Sequence, residues 1–123
     1  MNNRAVGAAR EREAAEYLSQ RGMRIIEKNY RDQNGEIDLI GYHEDYLVFV
    51  EVKYRRDTQK GFAAEAVDVR KQFKICRVAD HYRYSHGLGE RTQVRYDVVA
   101  IQGEEIDWIP NAFPHMYRQR RKM

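Results

Sequence analysis

The sequence has a single cysteine, two prolines and no apolar run near the ~20 residues that a membrane-spanning helix needs. The lone Cys76 excludes an internal disulfide, and four scattered histidines with one thiol give no zinc-ligand spacing. The opening stretch, MNNRAVGAARERE, lacks the apolar segment of a signal peptide, so a cytoplasmic location with no membrane association is expected. Repeats, low-complexity tracts and linkers are also missing. The 123 residues suit one domain, expected over residues 1–115 with a basic tail at 116–123.

What is present suits a folded protein, at 42% hydrophobic and 33% charged residues. The formal net charge of +3 is unevenly spread. Arg118, Arg120, Arg121 and Lys122 crowd the last six residues, and without them the 22 basic and 19 acidic residues leave a slight acidic excess. Such a cluster suits either phosphate contact or a solvated tail.

Residues 4–21 are rich in Ala, Glu and Arg, lack proline and run into Gly22, which predicts a first helix with a glycine stop. Residues 23–30 predict a strand, the QNG at 33–35 a turn, and residues 36–41 a second strand. A short polar turn at 43–45 separates this from a third strand at 46–54, so these two must be antiparallel neighbours. Residues 55–65 read as a charged loop. Residues 66–84 read as a helix with Ile75, Val78, Ala79 and Tyr82 on one face. Strands at 92–101 and 105–109 complete the chain. The order predicts an α/β fold: a mixed sheet of four to five strands flanked by helices.

Charge interrupts this pattern where buried strands would exclude it. In GEIDLIGYHEDYLVFVEVKYRR, residues 35–56, Asp38, Glu51 and Lys53 stand among Ile, Leu, Val and Phe. Alternation puts Glu51 and Lys53 on one face with Leu47 and Phe49, and puts Glu36, Asp38 and Ile40 on one face of the preceding strand. Two converging carboxylates beside a lysine suit Mg²⁺ or Mn²⁺, hard cations that take oxygen ligands, and equally suit a cross-strand ion pair. On the first helix Gly7, Ala8, Ala14, Ala15 and Leu18 fall within one arc, and Glu11 projects from its middle, whereas Glu13 and Glu16 lie opposite. A carboxylate in a buried stripe needs a metal or a salt-bridge partner. Lys71 and Gln72 extend the inward face of the second helix towards the same region or a phosphate, or snorkel at the helix start.

The ordered set of Gly7, Glu11, Ala14, Tyr17, Leu18, Gly22, Asn29, GEIDLI at 35–40, FVEVK at 49–53, Arg55, Val67, Lys71 and DVVAI at 97–101 resembles the YraN-like family of small uncharacterised bacterial proteins. The likeness spans nearly the whole chain. That family is similar in turn to Holliday-junction resolvases and to the PD-(D/E)xK nucleases of restriction endonuclease-like fold. The resemblance implies Asp38 and Glu51 as metal ligands, Lys53 as the catalytic lysine and Glu11 as a further acidic residue of the same site. It also implies a symmetric homodimer as an available state. Two positions depart from the pattern: the superfamily's proline before the first aspartate is absent, with Glu36 and Ile37 there, and Arg10 replaces a glycine before the helix glutamate.

The expected function is therefore a Mg²⁺- or Mn²⁺-dependent endonuclease of DNA, with branched substrates as one candidate class. The alternatives are a nucleic-acid-binding protein without catalysis, using Lys53, Arg55, Arg56, Lys60 and the terminal arginines on phosphates, and an assembly partner in DNA processing. Arg55 and Arg56 follow the charged strand directly and suit a substrate backbone or an exposed loop equally. Tyr42, Tyr46, Tyr54 and Phe62 suit base stacking or packing.

Overall fold

The computed structural model describes residues 3–55 and 67–118. The elements run α1 (Asn3–Ser19), β1 (Arg24–Asp32), β2 (Gly35–His43), β3 (Tyr46–Arg55), α2 (Val69–Ser85), β4 (Val94–Gln102) and β5 (Glu105–Phe113). The five strands form one sheet in the order β1-β2-β3-β4-β5. β3 and β4 are parallel and the other neighbours antiparallel, so the chain meanders through three strands, crosses over by way of α2, and ends in a hairpin. This mixed α/β sheet with two helices has the arrangement expected of a restriction endonuclease-like fold.

The helices cover opposite faces. Ala14, Ala15 and Leu18 of α1 pack with Leu39, Val48, Val50, Val99 and Ile101. Ile75, Val78, Ala79 and Tyr82 of α2 pack with Ile40, Leu47, Phe49, Tyr96 and Val98 on the other side. The strictly alternating β3 supplies both layers, Leu47 and Phe49 to one and Val48 and Val50 to the other, as its sequence predicts. The apolar stripe of α1 is shorter than expected. Gly7 and Ala8 are exposed, and the buried part of the stripe begins at Ala14.

The second helix begins three residues later than its composition suggests. Asp68, in an extended conformation, accepts a 2.8 Å hydrogen bond from the Lys71 amide and so caps α2. The expected loop at 55–65 falls mostly outside the described residues. β5 runs four residues past its expected end. Its Pro110 is tolerated because β5 is an edge strand, and the register slips between Tyr96 and Val98, near Asn111 at φ 52°. The β1–β2 turn is built as its sequence predicts, with Asp32 Oδ1 accepting from the amides of Asn34 (2.7 Å) and Gly35 (3.2 Å).

One buried ionic group sits within this frame. Asp97 on β4 is fully buried and accepts four hydrogen bonds: Arg95 Nε and Nη2 at 2.9 Å each, Trp108 Nε1 at 2.8 Å and the Asn111 amide at 2.9 Å. The bidentate arginine neutralises the charge, and the other two donors tie β4 to β5 across the register slip. Arg95 Nη2 also donates to His43 Nδ1 at 2.9 Å, which extends the network to the end of β2. Removing one partner of a buried pair leaves the other charge uncompensated. Asp97→Ala is expected to destabilise the fold by about 3–5 kcal/mol. Urea unfolding of the variant against the parent protein checks this.

Candidate metal centre

The β2–β3 ladder runs from His43↔Tyr46 to Leu39↔Val50 and goes no further. Beyond that point β2 continues paired with β1, while β3 continues paired with β4. The Val52 amide, which would have faced a β2 carbonyl, instead donates to Asp38 Oδ2 at 2.8 Å. A side chain thus caps the ladder where the two strands part.

A twist in the β1–β2 ribbon accompanies this divergence. Leu39 packs under α1, whereas Ile37, two residues earlier, packs under α2, although regular alternation would put both on one face. The break falls at Asp38. The residue opposite it in the β1 register, between the pairs Lys28↔Leu39 and Tyr30↔Ile37, is Asn29, whose φ of 54° lies in the left-handed region. Asparagine tolerates that conformation better than most side chains. The roll brings Glu36 and Asp38 round to Glu11 of α1, and carboxylate oxygens of the three residues lie within 4.8 Å of one another.

Two of these half-buried carboxylates, Glu11 and Glu36, line an open cleft of about 530 Å³, and Asp38 lies behind them. Glu11, Glu36, Asn29, Gly7 and two exposed arginines, Arg4 and Arg31, line it. Arg31 Nη2 is ion-paired with Glu36 at 3.4 Å. Burial, the Glu51 charge and, against them, the Val52 amide act on Asp38, with smaller contributions from Glu11 and Glu36. The net effect pushes its carboxyl up to about 8. A carboxyl that resists ionisation beside other oxygen donors suits a hard divalent cation, which would favour its charged form.

Glu51 takes a separate position. It is buried at 7% exposure, and its Oε1 lies 3.3 Å from Lys71 Nζ and 3.6 Å from Lys53 Nζ, so two ammonium groups meet one carboxylate. Glu51 is not a member of the three-carboxylate set and is linked to it through its charge on Asp38. Lys71 therefore reaches the region that its place on the helix predicts. Gln72 does not: its Nε2 donates to the Val67 carbonyl at 2.9 Å and closes the start of α2. Arg55 is exposed at the end of β3. Arg56, Lys60 and Phe62 lie outside the described residues. Tyr54 packs instead of stacking freely: Arg10 lies over its ring at 4.2 Å and donates to its hydroxyl at 3.1 Å, which is the role of the arginine at a position where the resembling family has glycine.

The sequence places Glu36 on one strand face with Asp38 without marking it as a ligand, and it does not mark Arg4 or Arg31. For Glu36 the signal was present, since it stands two residues from Asp38 on the same strand. For the arginines no local pattern marks them, because their approach to the cleft depends on where α1 and β1 overhang it.

The chain is similar to proteins of one family. The model of the Uncharacterised protein family UPF0102 matches residues 10–101. A UPF0102 protein of Lachnoclostridium phytofermentans is 47% identical over 113 residues, covering 92% of this chain and 96% of the relative. A UPF0102 protein of Stutzerimonas stutzeri is 43% identical, covering 87% and 92%. One of Fusobacterium nucleatum is 38% identical, covering 90% and 92%.

The raised Asp38 carboxyl sets a pH dependence. In the unfolded chain an aspartate titrates near ~3.9, so between there and about 8 the folded state holds more protons than the unfolded one. Stability of the metal-free protein should therefore fall as pH rises through that window and level off above it. Asp38→Asn, which keeps an acceptor for the Val52 amide, is expected to raise the melting temperature more at pH ~9 than at pH ~5 and to flatten the decline. Thermal melts in chelator across that range read the difference.

Proposed function

The chain belongs to the Uncharacterised protein family UPF0102, and from its restriction endonuclease-like fold and the carboxylates gathered between α1 and β2 we infer a divalent-metal-dependent nuclease that hydrolyses phosphodiester bonds of DNA. The observation that carries the reading is the convergence of Glu11, Glu36 and Asp38 within 4.8 Å, next to a carboxylate that carries two lysines. Of these three acids only Glu36 has an ion pair, to Arg31 at 3.4 Å, among the described residues, and the two lysines engage Glu51 instead, an arrangement that suits a cation and a phosphate side by side.

The residues fit Mg²⁺ or Mn²⁺. Glu11, Glu36 and Asp38 would hold the ion through oxygen, with Glu51 adjoining through Asp38. When bound, such an ion lowers the pKa of water and so supplies a nucleophile near neutral pH. The chain's own groups do the rest. Asp38 must give up its proton before it can act as a ligand, so metal affinity should rise with pH through about 8. Lys53, held by Glu51 at 3.6 Å, offers its ammonium to the charge that develops on a phosphate oxygen. Lys71 fixes Glu51 from the other side at 3.3 Å. Arg4 and Arg31 at the cleft, with Arg55 at the end of β3, supply cationic contacts for the backbone on either side of the scissile bond. Branched DNA is the substrate class that the likeness to resolvases brings, together with a symmetric dimer that would present two such clefts.

A second reading has its own support. Glu51 is already engaged by two ammonium groups, and this suits a site that holds phosphate without cutting it. Cleavage separates the two. A labelled panel of four-way junction, flap, duplex and single strand in Mg²⁺ or Mn²⁺ is expected to yield product with the parent protein. The rate should fall by about 10²-fold or more with Asp38→Ala or with Lys53→Ala purified in parallel. Binding by the parent with no product from any protein would assign the site to recognition. Product that persists unchanged in both variants would reject the nuclease reading.

A further inference from the structure

Away from the carboxylate cleft, the structure has a second concave surface of a different kind. A groove of about 520 Å³ lies between the β1–β2 turn, the side of α2 not packed on the sheet, and Met116. Its apolar floor is Val69, Phe73 and Met116, and Val69 and Phe73 are among the large hydrophobic residues left exposed, at 66% and 38%. Its charges are Arg70, Lys74 and Arg77, with no carboxylate among the lining residues. An exposed apolar patch rimmed by charge of one sign is the form of a recognition surface.

Arg77 supplies an independent observation. Its side chain is buried at 5% exposure, and Nη2 is taken by the Met116 carbonyl and by Asp80 Oδ2 at 3.0 Å. Nε and Nη1 have no hydrogen-bond partner, although the guanidinium lies over the Phe73 ring at 4.6 Å from its centroid. Two buried donors left open are costly, and because they are shielded from solvent, an anionic acceptor would satisfy them once the Phe73 ring shifts aside.

We propose that this groove docks an acidic peptide segment of a partner protein, with an apolar side chain against Val69, Phe73 and Met116 and carboxylates on Arg70, Lys74 and the open N–H groups of Arg77. Charge decides the occupant. This chain's own terminal residues carry Arg118, Arg120, Arg121 and Lys122, the wrong sign for a cationic groove. Nucleic acid would match the cations but leaves the aliphatic part of the floor without a counterpart. An acidic peptide bearing Leu or Phe matches both. The groove shares no lining residue with the carboxylate cleft, so the proposal stands apart from the nuclease reading.

The test uses the full chain and a fluorescein-labelled peptide, Glu-Asp-Asp-Leu-Phe with a free carboxyl terminus, followed by fluorescence anisotropy. Saturable binding is expected, weakened about tenfold or more by Phe73→Ala and by Lys74→Glu; Lys74 is exposed, so its variant should melt like the parent. Amide shifts on titration should cluster at Asn34, Val69 and Phe73. The serine-ended analogue Glu-Asp-Asp-Ser-Ser and the basic analogue Lys-Lys-Lys-Leu-Phe should bind at least tenfold more weakly. No saturation below about 1 mM would overturn the proposal, as would equal binding by either analogue or indifference to both substitutions. Oligothymidine that shifts the same amides and displaces the peptide more tightly than the peptide binds would also overturn it, assigning the groove to nucleic acid.

Discussion

The hydrogen bond from the Val52 amide to Asp38 is where the architecture of this protein turns from packing to chemistry. A main-chain amide within a sheet must find an acceptor, and here the acceptor is a carboxylate instead of a neighbouring carbonyl. The bond ends the β2–β3 ladder without leaving β3 unsatisfied, so the strands can separate. That separation is what gives Glu11, Glu36 and Asp38 a common space on one side and leaves Glu51 to Lys53 and Lys71 on the other. It also places a carboxyl group where burial and a neighbouring negative charge both disfavour ionisation. The structural bond and the chemical poise are one arrangement.

Asp97 makes the contrast. Both aspartates interrupt apolar strands near the centre of the sheet, and by local sequence they look alike. Asp97 is met by a bidentate arginine, an indole and a main-chain amide, and its charge is spent on joining β4 to β5. Asp38 is met by one amide and by other acids. The difference lies in what the fold brings to each, and it separates a structural carboxylate from one available to a ligand.

Much of the fold was legible because it rests on local regularities. The alternation of β3 set its two faces, the spacing of Ile75, Val78, Ala79 and Tyr82 set the inward face of α2, and the short turn at 43–45 forced an antiparallel hairpin. Where local rules failed, an identifiable interaction overrode them. Asp68 capped α2 later than composition suggests, pairing with β4 carried β5 past Pro110, and the twist at Asn29 reversed the facing of Ile37. None of these is a matter of propensity alone. Each depends on a backbone conformation or a partner that a reading of neighbouring residues does not contain.

The candidate site divides in the same way. That Glu11, Asp38, Glu51 and Lys53 are exceptional was determined by sequence, because charge within an apolar pattern carries a desolvation cost that needs a reason. Tertiary structure alone decided their grouping. Glu11, Glu36 and Asp38 from α1 and β2 converge, the first two lining a cleft with two arginines, while Glu51 turns to the lysines. The reason is geometric: sequence spacing fixes which face of an element a side chain leaves from, but distances between elements follow from how the sheet twists and where its strands part.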